Sequence, residues 1–195
     1  MITEWRSTIL GGGLALYLVG VGFLGATVVN QHDEVVRTFR SYLVAPELRA
    51  PARAEASNAP WAASLQKVDE ALAQTKVGAA EQAWLDAFVV ALKSRRWEGM
   101  VEVGDAYLRL GRLGGFPKTA EAKARQIYLA ALFRARQQDS VDGVLRTAEA
   151  FARLGDHLTV ARCLRIAESL AAQARDAHAH ERVREVSVSL GFDPR

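Results

Sequence analysis

WEGMVEVGDAYLRLG (residues 97–111) and VDGVLRTAEAFARLG (residues 141–155) are variants of one segment, 44 residues apart. Five positions are identical: Gly99/Gly143, Ala106/Ala150, Arg109/Arg153, Leu110/Leu154 and Gly111/Gly155. Tyr107/Phe151, Glu98/Asp142, Met100/Val144 and Val101/Leu145 are conservative pairs. The segments that follow also match. ARQIYLAALFRA (124–135) aligns with ARCLRIAESLAA (161–172) once seven residues around Gly114-Gly115-Phe116-Pro117 are looped out. Apolar residues recur at helical spacing, and the nearest strand-like alternation, Val186 to Ser189, is too short to found a sheet. Two helix-turn-helix units therefore lie side by side. One unit alone leaves its apolar face in water, so stacking creates the core.

Punctuation extends the all-α reading across residues 60–195. A first helix takes Asn58 or Ser57 as N-cap and Pro60 in its first turn, with Trp61, Leu65, Val68 and Leu72 on one face. Gly78 is placed to end it. The next helix buries Trp84, Leu85, Phe88 and Leu92, and later ones start near Glu98, Lys118, Ser140, Asp156 and Asp176, the last ending at Leu190-Gly191. Ser140 and Asp156 suit N-caps, because their oxygens accept the unpaired amide hydrogens of a first turn.

The second unit resembles a tetratricopeptide repeat. Ala148-x-x-Phe151-x-x-x-Gly155-Asp156 sets a small residue, an aromatic and a turn glycine at that family's first-helix spacing, and Leu164 and Ala167 fall where its second helix packs. The match departs at Val160, with Ala161 one step late, and no proline closes the unit. The first unit keeps Tyr107 and Gly111 but has a lengthened turn. The resemblance spans about 75 residues. It implies a right-handed α-solenoid whose concave face binds peptides or other proteins, and it implies no reaction.

Upstream the composition changes. Ile9 to Val29 (ILGGGLALYLVGVGFLGATVV) runs 21 residues without a charge. As a helix it would extend ~31 Å, the thickness of a bilayer's hydrocarbon core. The expected organisation is a transmembrane anchor over 1–30, an amphipathic juxtamembrane helix over 31–45 (Val35, Val36, Phe39, Tyr42, Leu43), a Pro/Ala-rich linker over 46–59, and the helical repeat domain over 60–195. In the anchor, Gly11, Ala15, Gly22 and Ala26 share one face with Gly25 beside it, and small faces let helices approach closely in lipid. Lys and Arg counts near the span (Arg6 before it; Arg37, Arg40 and Arg49 after it) mildly favour a cytoplasmic domain. The short tail bearing Arg6 and the His32-Asp33-Glu34 that follows the span give the opposite, signal-anchor look. We read the second as dominant: a bacterial inner (cytoplasmic) membrane protein with a periplasmic domain, the cytoplasmic orientation being the alternative.

The chain carries a net charge of +3, but the charge is segregated. Residues 93–136 hold ten Lys and Arg against four acids, whereas 46–92 are slightly acidic. Arg109, Arg112 and Lys118 are thus candidate contacts for anionic headgroups or an acidic partner. Phe116, on the glycine-rich loop beside them, either folds into the core or faces a partner.

Sites of chemistry were sought by spacing. Gly11-Gly12-Gly13 and Gly114-Gly115 lack the strand and following lysine of a phosphate loop. One cysteine leaves no paired-cysteine haem motif, and Cys163 sits among Val160, Leu164 and Ala167 as a small core residue. His178 and His180 point roughly 200° apart on a helix, and Asp176 with His180 supplies two ligands only. No catalytic residue, cofactor, metal, nucleic acid or small-molecule substrate is expected. The sequence reads as a non-catalytic accessory or assembly subunit of a respiratory, photosynthetic or envelope membrane complex. The alternative is a membrane-tethered chaperone or adaptor that binds client peptides. Replacing Gly22 or Gly25 by Leu should abolish co-purification with membrane partners; recovery of the same partners with both variants would remove the packing role of the anchor.

Overall fold

The computed structural model describes residues 59–192. The expected anchor, juxtamembrane helix and nearly all of the linker lie outside the described residues, and with them Gly11, Ala15, Gly22, Gly25 and Ala26. Among the described residues no helix is long and apolar enough to cross a membrane.

The described chain is all-α, with seven helices and no strand. They are α1 (Ala62–Ala73), α2 (Val77–Ser94), α3 (Trp97–Leu113), α4 (Pro117–Gln137), α5 (Val141–Arg153), α6 (His157–Ala174) and α7 (Ala177–Ser189). Consecutive helices pack against one another through turns of two or three residues, so neighbours run antiparallel. Each odd-numbered helix also touches the next odd one, α1 to α3 to α5 to α7, while the even-numbered helices approach one another less closely. Two layers result, the odd helices packing more closely with one another than the even ones do.

The turns explain the helix boundaries. Within each hairpin the helix closes on a left-handed residue, namely Thr75, Gly115 or Gly155. The next residue's N–H then reaches back five positions: Lys76 to the Ala71 carbonyl at 2.9 Å, Phe116 to Gly111 at 2.8 Å, Asp156 to Phe151 at 3.1 Å. This Schellman closure satisfies carbonyls that the helix end would otherwise strand. Gly78 does not end the first helix, as the sequence had suggested. It is the second residue of α2, and Thr75 (φ 57°) takes the left-handed position despite its branched side chain. At the other ends, Ser140 accepts from the Gly143 N–H at 3.0 Å and Asp156 from Thr159 at 3.2 Å, as expected of those caps. The first helix has no side-chain cap; Trp61 occupies that position.

The repeat has three members rather than two. Residues 61–94 and 141–174 correspond position for position, with the first helices ending at matched residues and the second helices starting and ending at matched residues. Only Leu65/Leu145, Ala87/Ala167 and Ala91/Ala171 are identical across that pair. The middle unit carries the seven extra residues, but not as a loop. α3 has 17 residues against 13 in α5, and α4 has 21 against 18 in α6. The insertion is an additional turn on each helix, with a three-residue turn at the tip as in the other units. Gly111 consequently lies inside α3. A methyl there would fall 2.1 Å from the Ala120 Cβ, so it permits close packing of α4 while its sequence counterpart Gly155 makes a turn.

Packing between units has a common element. The Trp61 ring covers Gly99, where an added Cβ would come within 2.9 Å, and the Trp97 ring covers Gly143 at 2.8 Å. Trp84 stacks on Phe88 (centroids 5.1 Å apart) and donates from Nε1 to the Val103 carbonyl at 2.8 Å. Leu85, expected in the core with them, is half-buried. Arg134 of α4 reaches the end of α2, donating to the carbonyls of Ala91 (3.0 Å), Leu92 (3.2 Å) and Arg96 (3.1 Å). Burial, then the charge of Arg95, lowers its pKa to about 10, so it remains cationic at neutral pH.

Thr75 makes a specific prediction. Left-handed backbone at a β-branched residue is strained, and glycine adopts it freely. Thr75→Gly should stabilise the chain by about 1 kcal/mol and raise the thermal midpoint measured by circular dichroism. An unchanged or lower midpoint would show that no strain is held there.

Candidate functional site: two grooves on the odd-helix layer

Odd helices are joined by arginine–aspartate pairs. Arg109 on α3 holds one Asp69 oxygen on α1 through Nε (3.1 Å) and Nη2 (2.8 Å). Arg153 on α5 holds Asp105 on α3 at 2.6 Å, and Arg182 on α7 holds Asp142 on α5. Arg109 and Arg153 are equivalent in the repeat, and so are Asp69 and Asp105 at a spacing of 36 from Trp61/Trp97. These pairs are partly exposed, so each contributes at most about 1 kcal/mol. Their larger effect is geometric, since they fix the spacing of adjacent units. Asp105 also accepts the Tyr128 hydroxyl at 2.5 Å. Burial, followed by that bond and the Asp105 charge, raises the Tyr128 pKa above the usual phenol range.

Two grooves flank the ladder. The first, about 340 Å³, runs between the C-terminal ends of α3 and α5 and the start of α4. Arg109, Arg112 and Arg153 line it with Asp105, Leu108, Pro117, Glu121 and Leu154. Of the sequence candidates, the fold brings Arg109 and Arg112 together here and adds Arg153. Arg112 is exposed, its Nε only 3.4 Å from the Leu108 carbonyl. Lys118 is exposed on the first turn of α4 and does not line the groove. Phe116 folds inwards. It is half-buried, with its ring centroid 6.1 Å from that of Tyr107.

The ten basic residues of 93–136 do not form one solvated stripe. Arg134 caps α2, and Arg96 pairs with Glu98 (2.9 Å) and lies over the Trp61 ring (5.3 Å). Lys123 is buried with its ammonium 6.0 Å from the Phe88 ring, and burial lowers its pKa. These cations serve the fold.

The second groove, about 290 Å³, was not anticipated. It lies across the N-terminal halves of α3 and α5 and reaches α7. Trp97, Val101, Leu145 and Val186 supply apolar surface, while Glu98, Glu102, Asp142, Glu149, Arg146 and Arg182 supply charge. Its signal in the sequence is Glu98-x-x-x-Glu102, two acids one helical turn apart. Leu129 and Phe133, one turn apart on α4, are also unexpectedly exposed.

Cys163 is fully buried, and burial pushes its thiol up to about 12. It is a protonated core residue, as its neighbours implied. Among the described residues no group of three or more His, Cys, Asp or Glu is placed to hold a metal ion. No family model matches the chain, and no curated protein or solved structure does.

The two candidate arginines now separate. Arg109→Glu sets a carboxylate against Asp69 and should cost about 1 kcal/mol of stability, whereas Arg112→Glu should stay within about 0.5 kcal/mol. Chemical denaturation of both variants checks this; equal effects would mean that the Arg109 pair does not couple α1 to α3.

Proposed function

We propose that this chain is a non-catalytic, membrane-anchored interaction protein, an accessory or assembly subunit of a multi-subunit membrane complex of the respiratory, photosynthetic or envelope kind. The uncharged run 9–29 anchors it in a bacterial inner membrane, and the helical domain, on the periplasmic side, docks on an extramembrane surface of the same partner. Two modest contacts joined by one chain bind more tightly than either alone, because the second becomes intramolecular. The observation that carries this reading is the pair of grooves along the odd helices, both open and both lined by charged side chains.

The domain belongs to the tetratricopeptide type on this reading. Units 61–94 and 141–174 each span the 34 residues of that repeat. Ala80-x-x-x-Trp84, followed by Ala87, supplies the small–aromatic–small series of its second helix in the first unit, all three buried. The anchored adaptor or chaperone that captures client peptides is the second reading, favoured by the mixed apolar and charged lining of the α3–α5–α7 groove.

Gentle detergent extraction from native membranes followed by native electrophoresis separates the two. The subunit reading expects co-migration with a larger complex at fixed stoichiometry. A small free species would overturn it in favour of the adaptor.

A further inference from the structure

The α3–α5–α7 groove has a charge imbalance that its own residues leave open. Four carboxylates line it against two guanidiniums. Asp142 is matched by Arg182 and Glu149 by Arg146, the latter at 2.9 Å. Glu102 accepts only from the neutral indole of Trp61, at 2.8 Å. Glu98 gives one oxygen to Arg96, and its other oxygen, Oε2, is buried with no hydrogen-bond partner. A buried carboxylate oxygen without a donor is unfavourable, and a second donor arriving there is correspondingly favoured. Glu98 is thus matched only from outside the groove, by Arg96, and Glu102 by no cation; both stand on one wall, one turn apart on α3. The floor beside them is apolar, formed by Trp97, Val101 and Leu145.

Resting on the interaction reading above, we propose that this groove takes a basic, extended polypeptide segment of a partner protein, with two Lys or Arg side chains facing Glu98 and Glu102 and an apolar side chain on the floor. The spacing supports an extended strand. Residues four apart on a helix rise about 6 Å, and alternate side chains of an extended segment repeat at about 6.6 Å. Cations at alternate positions thus align with both carboxylates. Guanidinium suits Glu102 best, because its forked donors can engage an exposed carboxylate that has no cation of its own. Helix N-termini favour nearby acids, which accounts for carboxylates in the first turns of α3 and α5. That effect does not account for Glu102, which lies beyond the first turn, nor for the partnerless Oε2.

The test uses the purified full chain in nanodiscs and two capped pentapeptides, one alternating leucine with arginine and one with glutamate in place of arginine. The Trp97 indole N–H resonance, at the groove floor, reports occupancy. The arginine peptide should shift it saturably, with affinity falling roughly tenfold in Glu98→Gln and in Glu102→Gln, about the loss of one charge contact. Both substitutions keep side-chain size and an acceptor oxygen for Arg96 or Trp61, and circular dichroism of each variant checks that the helical fold is kept. Equal binding of the two peptides, no saturable shift, or unchanged affinity in both variants would overturn the proposal. Native electrophoresis of the same variants keeps the two readings apart. A large complex without arginine-peptide binding removes the groove's ligand and leaves the subunit role. A chain that migrates alone removes the subunit role, and the peptide titration still decides the groove.

Discussion

A flat aromatic ring on bare backbone holds this stack together. Trp61, at the head of α1, lies on Gly99 of α3, and Trp97, at the head of α3, lies on Gly143 of α5. Each glycine is the third residue of its helix, and a methyl at either would collide with the ring. The first three odd helices therefore come together at one register, set by a large side chain against the smallest. Trp61 has no exposed surface, and its ring contacts dominate what a single residue contributes there. Once that register is fixed, Arg109 falls opposite Asp69 and Arg153 opposite Asp105. The grooves form on either side of those pairs.

Turn chemistry completes the unit. All three hairpins close by the same backbone hydrogen bond, although the left-handed residue is threonine in one and glycine in two. The geometry is thus imposed by packing of the helices, and residue choice at the turn adjusts its cost. Arg134 acts similarly at a distance. It supplies donors to the end of α2, where Arg95 rather than glycine takes the left-handed conformation.

Much of the architecture was legible in the sequence. The pairs spaced by 44 identified the middle and last units because Gly99/Gly143 and Tyr107/Phe151 carry their packing. The first unit escaped notice because Thr75 stands where Gly155 does, and Gly78 nearby offered a false stop. The seven extra residues read as a loop because glycines cluster at their centre; in the fold most of them add helical turns. Arg109 and Arg112 were found by charge, but their separation into a structural and an open cation depended on Asp69, forty residues away. The acidic groove was invisible for the same reason. Its walls come from three helices, and only their stacking shows that Glu102 meets no counter-charge there.

The longer middle hairpin gives the domain an uneven rim. α3 and α5 start in register, so the four additional residues of α3 carry its tip about 6 Å past its neighbours. Leu113 sits at that tip with most of its surface in solvent. A flat body approaching this edge meets one leucine-bearing knuckle before it meets either flanking turn, and so it must tilt or carry a matching notch to sit flush.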